Sequence, residues 1–299
     1  MKKILFLLSL LPLFATAREA KVSSPDGKLT VTVNDNGGLL TYAVDYDGQT
    51  VLKPSRLGLK TNFGDFTQGL SISNAQNSKT SDSYQMRQTK QSAIAFDANT
   101  MTINLLNANK QRLSVEFFVK DNDLAFRYLI PTQEKGNPKC AVVTGEVSSF
   151  CFPTDTKTFI CPQIDPMKGW ERTKPSYEEE YKPDAPVNVR SQFGQGYTFP
   201  CLFRTPVAAA ATPNGSKGKK TAGQPTDLWV LISETGVSSN YCGTHLSDYS
   251  ETTGYTIAFP QAGENNGSGS ATAAMSLPGE TPWRTVTVGT NLKPVVETT

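Results

Sequence analysis

Hydrophobic and polar residues alternate with a period of two along most of this chain. Every second residue of 29–33 is apolar, and the same alternation returns over 40–46. The turn-forming sequence Asn-Asp-Asn-Gly-Gly separates the two segments, and Asp47-Gly48 follows the second. Alternating segments joined by Asn, Asp and Gly predict antiparallel hairpins.

The same pattern continues to the end of the chain, over 101–105, 113–119, 124–130, 228–232 and 255–259. No segment keeps apolar residues at helical spacing for three turns. We therefore predict an all-β fold: a large antiparallel sandwich in which each strand turns one face inward.

The first 17 residues read as a leader. Lys2 and Lys3 precede an apolar run over 4–14, and Ala15-Thr16-Ala17 is a small-residue cleavage site. This order is typical of a secretory signal peptide, and the run is too short for a membrane span. We predict a mature protein that begins near Arg18 and is exported to the periplasm or beyond the cell.

No linker divides the rest of the chain, so we expect one β domain over 18–291. Two glycine-rich polar segments, 208–225 and 262–273, are predicted surface insertions.

Composition narrows the classes of partner. Lys+Arg 29 against Asp+Glu 27 leaves the chain nearly neutral, and no basic run favours nucleic acid. The cysteines are Cys140, Cys151, Cys161, Cys201 and Cys242. Without CxxC spacing they do not favour a zinc cluster. Either one disulfide forms among the first three, or most of the five are small buried residues.

Few residues offer nucleophilic or acid–base chemistry. His245 is the single histidine, and the motifs G-x-S-x-G and H-E-x-x-H are absent. A lone histidine is more typical of a structural hydrogen bond than of catalysis. Sandwich enzymes that interconvert sugar anomers commonly use two histidines, and the second one is missing here.

Carboxylates are the remaining candidates: Glu146, Glu171, Glu178, Glu179, Glu180, Glu234 and Glu264. Glycoside hydrolysis needs two carboxyl groups on either side of the bond, and sequence spacing places no such pair. The run over 178–180 fits a solvated loop as well as it fits a calcium ligand, since calcium prefers hard oxygen atoms.

Aromatic residues are dense around that run: Trp170, Tyr177, Tyr181, Phe193, Tyr197 and Phe199. Arginines interleave with them, a combination that suits a sugar's apolar faces and hydroxyl groups. An ordinary aromatic core would give the same pattern.

Several stretches resemble, in order, the N-terminal domain of glycoside hydrolase family 97, the group that contains the periplasmic α-glucosidase of bacterial starch utilisation. They are SPDGKL at 24–29, DLAFRY at 123–128, SYEEEY at 176–181, WVLISETG at 229–236, NYCGTHL at 240–246, IAFP at 257–260 and TPWRTVTVG at 281–289.

The resemblance implies a β-super-sandwich of the galactose-mutarotase-like carbohydrate-binding fold. In the family a (β/α)8 barrel follows this domain and carries the catalytic residues, so the resemblance implies that residues 292–299 begin a linker to it. No pattern for a barrel is present here. We therefore expect the 299-residue chain alone not to be an enzyme. A longer product would be an exo-acting α-glucosidase or α-galactosidase, with the barrel and an α-linked oligosaccharide as partners.

The resemblance also implies site residues. In calcium-dependent members this domain lends one glutamate to the ion, and the Tyr-Glu-x-x-Tyr pattern assigns that role to Glu178, with Glu180 as the alternative register. Tyr177, Tyr181 and His245 are predicted to contact sugar. Calcium is expected only with the barrel, because one carboxylate supplies too few oxygens. The alternative function is a stand-alone secreted carbohydrate-binding module or an inactive remnant.

Overall fold

The structure, a computed structural model, describes residues 18–87, 90–134, 136–164, 180–207, 227–261, 264 and 270–298. Almost all regular structure in these residues is β-strand. The strands are β1 (Glu19–Ser23), β2 (Leu29–Asn34), β3 (Thr41–Tyr46), β4 (Gln49–Arg56), β5 (Leu59–Thr61), β6 (Ser71–Gln85), β7 (Ala93–Leu106), β8 (Arg112–Val119), β9 (Asp123–Ile130), β10 (Cys140–Glu146), β11 (Ser149–Phe150), β12 (Lys157–Pro162), β13 (Ala185–Pro186), β14 (Tyr197–Thr205), β15 (Leu228–Thr235), β16 (His245–Leu246), β17 (Tyr255–Ala258), β18 (Ala273–Ser276), β19 (Gly279–Glu280) and β20 (Trp283–Gly289). A 3-10 turn at Asn36–Gly38 and the helix α1 (Lys293–Thr298) complete the elements.

The strands form three antiparallel sheets. The first is a four-stranded meander in the order β1-β2-β3-β4, and the second joins β18, β10 and β5. The third has 13 strands, with the main order β11-β17-β16-β14-β15-β20-β9-β8-β7-β6. In it β12 pairs with β13 and β14, and β19 pairs with β9.

The core lies between the four-stranded sheet and one face of the large sheet. Tyr42 of β3 is fully buried, and its ring lies 5.3 Å from that of Phe126 and 6.4 Å from that of Phe117. Its hydroxyl donates to the Ser149 carbonyl, so the ring reaches across the core without leaving a buried polar atom unpaired.

The predicted all-β super-sandwich is confirmed, including its first hairpins. The alternating segments became β2 and β3, and the turn between β3 and β4 has φ of 49° at Asp47 and 74° at Gly48. A two-residue hairpin turn of type I′ requires positive φ at both positions, and this requirement favours Asp-Gly there.

Some predicted details differ from the structure. Ala273, assigned to a surface insertion, is buried and begins β18. The insertion at 208–225 lies outside the described residues. All five cysteines are free thiols, but only Cys161 and Cys201 are buried, and Cys140 is exposed. In the described part of the chain no helix is long and apolar enough to cross a membrane.

We predict that Tyr128→Phe destabilises the domain, because the buried hydroxyl of Tyr128 accepts the Gly58 amide at 2.7 Å and bonds the Ser148 hydroxyl at 2.7 Å. Its loss leaves a buried N–H without a partner, which costs about 1–3 kcal/mol. Urea denaturation measures this free energy of unfolding. Tyr84→Phe, at an exposed ring, is the matched control and should change it by less than about 0.5 kcal/mol. Equal effects of the two substitutions would contradict the role given to the Tyr128 hydroxyl.

Candidate functional site

The large sheet has a second face that points away from the core, which we call the outer face. In β15, β20, β9 and β8 the residues between the core positions turn to this side, as strand alternation requires. They include the half-buried rings of Trp229, Trp283 and Phe118.

A cleft of about 550 Å³ lies on the outer face. Aromatic rings form one wall: Tyr84, Phe96, Phe118 and Trp283 follow one another at centroid distances of 6.4, 5.7 and 6.4 Å. Its polar residues include Lys120 in the turn after β8, and Asp123, Ser233, Glu234, Thr235, Thr285 and Thr287 from β9, β15 and β20. The cleft therefore combines apolar rings with hydroxyl and charged groups.

Both tryptophans of the outer face have an arginine over the ring. The Arg127 guanidinium lies 4.3 Å from the Trp283 ring centre, and that of Arg204 lies 6.0 Å from Trp229. Arg127 is also paired with Glu116 at 2.8 Å and with Glu280 at 2.7 Å. These ion pairs hold the Arg127 guanidinium over the Trp283 ring, which orders both side chains.

Beneath the cleft a buried arginine joins two of the carboxylates singled out in the sequence. Arg284 Nη2 lies 2.7 Å from Glu146 Oε2, and Arg284 Nη1 lies 2.6 Å from Glu234 Oε2. Glu234 also accepts hydrogen bonds from the amide and hydroxyl of Thr244, at 2.9 and 2.7 Å. The cluster ties β10, β15, β20 and the loop before β16 together.

This cluster fixes the charge state of Arg284. Burial by itself would lower the pKa of Arg284, but the Glu146 and Glu234 carboxylates raise it above its ordinary value. Both glutamates thus act as counterions to a buried guanidinium. That arrangement serves structure, and it leaves neither carboxylate placed as a general acid for glycoside hydrolysis.

The structure places the predicted sugar-contacting residues in different surroundings. Tyr181 is exposed and stacks on Phe159 of β12, with ring centres 4.8 Å apart. His245 of β16 is only 4% exposed. Desolvation lowers the pKa of His245 to about 4, although a hydrogen bond with the Gln195 backbone opposes the shift. The two residues do not share an open surface, and their predicted role in sugar binding stays a prediction.

The acidic run is only partly visible. Tyr177, Glu178 and Glu179 lie outside the described residues, as do Glu171 and Trp170, while Glu180 is exposed. Glu264 accepts a hydrogen bond from the Gln261 amide at 2.8 Å. Among the residues that the structure describes, no group of three His, Cys, Asp or Glu side chains could hold a metal ion.

Sequence reasoning missed Arg284 and the aromatic wall. Arg284 stands in an alternating strand, TPWRTVTVG, at a position that the pattern assigns to the core. A charged residue at a core position is itself a signal, because a buried cation needs a buried partner. That signal identifies the arginine but not which glutamates it meets.

Comparison with known proteins identifies the fold's family. The family model described as glycosyl-hydrolase 97 N-terminal matches residues 22–299. The chain belongs to this family. Its large curled antiparallel sheet is like that of the family 97 N-terminal β-sandwich.

The relatives of this family 97 N-terminal domain are much longer. A "Probable retaining alpha-galactosidase" of Streptomyces bingchenggensis (strain BCW-1) is 24% identical over 278 residues, which are 93% of this chain and 36% of that protein. The crystal structure of a beta-arabinopyranosidase is 49% identical with a TM-score of 0.83 and is covered over 41% of its length, against 94% of this chain.

A third relative shows the fold alone. It is a Glycoside Hydrolase Family 97 enzyme in complex with acarbose from Pseudoalteromonas sp. strain K8, 18% identical with a TM-score of 0.70, where the match covers 92% of this chain and 36% of that one. The family 97 N-terminal domain thus spans about two fifths of these relatives or less.

We predict that Arg284→Leu lowers the free energy of unfolding by about 3–5 kcal/mol, because it leaves the Glu146 carboxylate buried without a counterion. Urea denaturation would measure the loss. Arg127→Leu is the matched control, since it removes an arginine from the half-exposed outer face and should cost clearly less. Similar losses in both variants would contradict a special cost of unpairing the buried cluster.

His245 predicts a pH dependence of stability. Because its pKa is about 4 in the folded protein and about 6.5 when unfolded, the unfolded chain binds more protons between these values. Its contribution, up to roughly 3 kcal/mol, is therefore complete above pH 6.5 and is lost as the pH falls toward 4. Unfolding free energies from pH 7 to 4.5 for the native chain and for His245→Gln give the comparison. A slope that survives the substitution would rule out His245 as its source.

Proposed function

We propose that this chain is the non-catalytic N-terminal domain of a longer exo-acting glycosidase, in which it supports the catalytic domain. One observation carries the proposal: an N-terminal domain model matches residues 22–299, while the same region spans only 36% to 41% of the relatives. The cluster under the cleft supports it, because both of its glutamates are committed to Arg284.

The outer face is the surface that would receive the catalytic domain. Half-buried tryptophan, phenylalanine and arginine side chains are enriched at protein interfaces, and this face combines them. Helix α1 packs on β20, and the Thr298 hydroxyl donates to Asp123 at the cleft. In a longer chain, the segment after residue 298 would start at the rim of this cleft.

The relatives also narrow the proposed substrate of the whole enzyme. One is named as an α-galactosidase and another as a β-arabinopyranosidase. A β-L-arabinopyranoside has the ring configuration of an α-D-galactoside without its exocyclic hydroxymethyl group. We therefore favour a terminal sugar of this configuration over an α-glucoside.

Two earlier expectations remain part of the proposal. They are export to the periplasm or beyond the cell, and a calcium ion bound mainly by the catalytic domain with Glu178 as one ligand. We propose in addition that the enzyme is used in polysaccharide breakdown. Because Glu178 lies outside the described residues, no step of a mechanism is assigned to the ion.

The first experiment is to sequence the source DNA beyond the codon for Thr299. We expect an open reading frame that encodes a catalytic domain. The longer protein should hydrolyse p-nitrophenyl β-L-arabinopyranoside or p-nitrophenyl α-D-galactoside faster than p-nitrophenyl α-D-glucoside. The chain over 18–299 alone should release none. A stop codon at this point, or turnover by the short chain, would overturn the proposal.

Docking on the outer face predicts the effect of a charge in the cleft. Ser233→Lys should leave the thermal stability of the isolated domain nearly unchanged, because the half-buried side chain points away from the core. In the longer protein it should lower activity at least several-fold by separating the domains. Ser78→Lys on the exposed edge strand β6 is the control and should have no effect. Activity that is insensitive to Ser233→Lys would exclude the cleft as the docking surface.

The same cleft favours one alternative, a stand-alone module that binds sugar itself, since rings beside hydroxyl groups suit a saccharide. Calorimetric titration of the 18–299 chain with arabinose, galactose and α-linked oligosaccharides separates the two functions. Saturable binding that Phe118→Ala removes would favour the module, and no binding agrees with docking.

A further inference from the structure

The first residue after the predicted leader is held at a corner of the sandwich. The Arg18 amide nitrogen lies 2.6 Å from Asp35 Oδ1, and the Ile72 amide lies 2.8 Å from Asp35 Oδ2. The Asp35 amide in turn donates to the Arg18 carbonyl at 3.3 Å. One carboxylate therefore joins the start of β1, the end of β2 and the start of β6.

This carboxylate is buried without a cation. Asp35 is only 9% exposed, and in the described part of the chain no ion pair includes it. The Arg18 guanidinium does not serve, because its Nη1 donates to the carbonyls of Ile72 and Ser73, at 2.7 and 3.3 Å. Buried carboxylates normally have a positive partner, because two amide hydrogen bonds offset only part of the free energy lost on removing the charge from water.

We infer that removal of the leader at the Ala17–Arg18 bond creates the missing cation, and that the new α-ammonium group of Arg18 forms a buried ion pair with Asp35. A signal peptidase would add water across the amide bond. The carbonyl carbon of Ala17 takes the oxygen and becomes a carboxylate, and the Arg18 nitrogen leaves as an amine that takes up a proton.

Because of where the Arg18 nitrogen lies, the ion pair can form without any movement of the backbone. It already lies at hydrogen-bond distance from Asp35 as an amide, so cleavage changes its charge and adds donors in place. A charged donor strengthens the link between β1 and β6, which lie in different sheets. Processing would then stabilise the sandwich as well as release it from the leader.

The test compares two purified chains, one that begins at Arg18 and one that retains Thr16 and Ala17. The second keeps an amide at the Arg18 nitrogen and moves the positive charge two residues away. We expect the chain that begins at Arg18 to unfold at a midpoint temperature about 3–8 °C above that of the longer chain. The range follows from how far a change in unfolding free energy shifts the midpoint of a domain of this size. Equal midpoints would overturn the inference.

Substitution of Asp35 provides the matched control. In Asp35→Asn the two starting points should give the same midpoint, because the amide cannot form an ion pair. Asp47→Asn removes a carboxylate from an exposed turn and should leave the difference intact. A difference that persists in Asp35→Asn would assign the stabilisation elsewhere. If Asp35→Asn does not fold, the unfolding midpoints of the two chains that keep Asp35 still test the inference.

The pH dependence gives an independent readout. The pKa of the new amine should rise above its usual value of about 8, because the Asp35 carboxylate favours its charged form. The midpoint difference should thus be complete below pH 8 and shrink as the pH rises further. The other charged group that lines this corner is the Arg18 guanidinium, and the neighbouring Glu19 on β1 is exposed. A difference that is unchanged up to pH 11 would contradict the assignment.

Mass spectrometry of the exported protein tests the cleavage itself. An N-terminal peptide that begins at Arg18 is expected. A mature chain that begins at any other residue would overturn the inference, whatever the function of the whole protein.

Discussion

The two faces of the large sheet are the constraint on which the rest of the structure depends. An antiparallel sheet of 13 strands carries side chains on both sides, and in the described part of the chain only one side packs against the four-stranded sheet. The core side is filled by rings such as those of Tyr42 and Phe126, while the outer face has rings that stay half exposed. The sandwich therefore fills its core and still exposes an apolar, arginine-bearing surface.

Charge is used differently on the two faces. On the core side the guanidinium of Arg284 is removed from water, so it requires both Glu146 and Glu234. On the outer face Arg127 and Arg204 lie over tryptophan rings and remain partly hydrated. The first arrangement fixes the strands relative to each other, and the second orders a surface. Glu146 and Glu234, two of the candidate catalytic carboxylates in the sequence, therefore stabilise the fold as counterions of Arg284.

The family assignment and this architecture agree on the kind of domain that the chain forms. Relatives more than twice as long contain it as one part, and its described residues hold neither a metal-binding group nor a free pair of buried carboxylates. Under the proposed function, a further domain carries the chemistry. The described residues supply a sandwich with an ordered face, and an N-terminal corner where Asp35 joins three strands.

The sequence by itself determined the fold class and the family. Alternation with a period of two is imposed by strand geometry, so β2, β3, β8 and β9 were readable from residues alone, and so was the Asp-Gly turn at 47–48, where positive φ limits the choice of residue. Only the tertiary structure decided which side chains meet. Glu146 and Arg284 are 138 residues apart, and Asp35 meets Ile72 across two sheets. Such pairs depend on strand order and register over long separations, which local pattern does not encode.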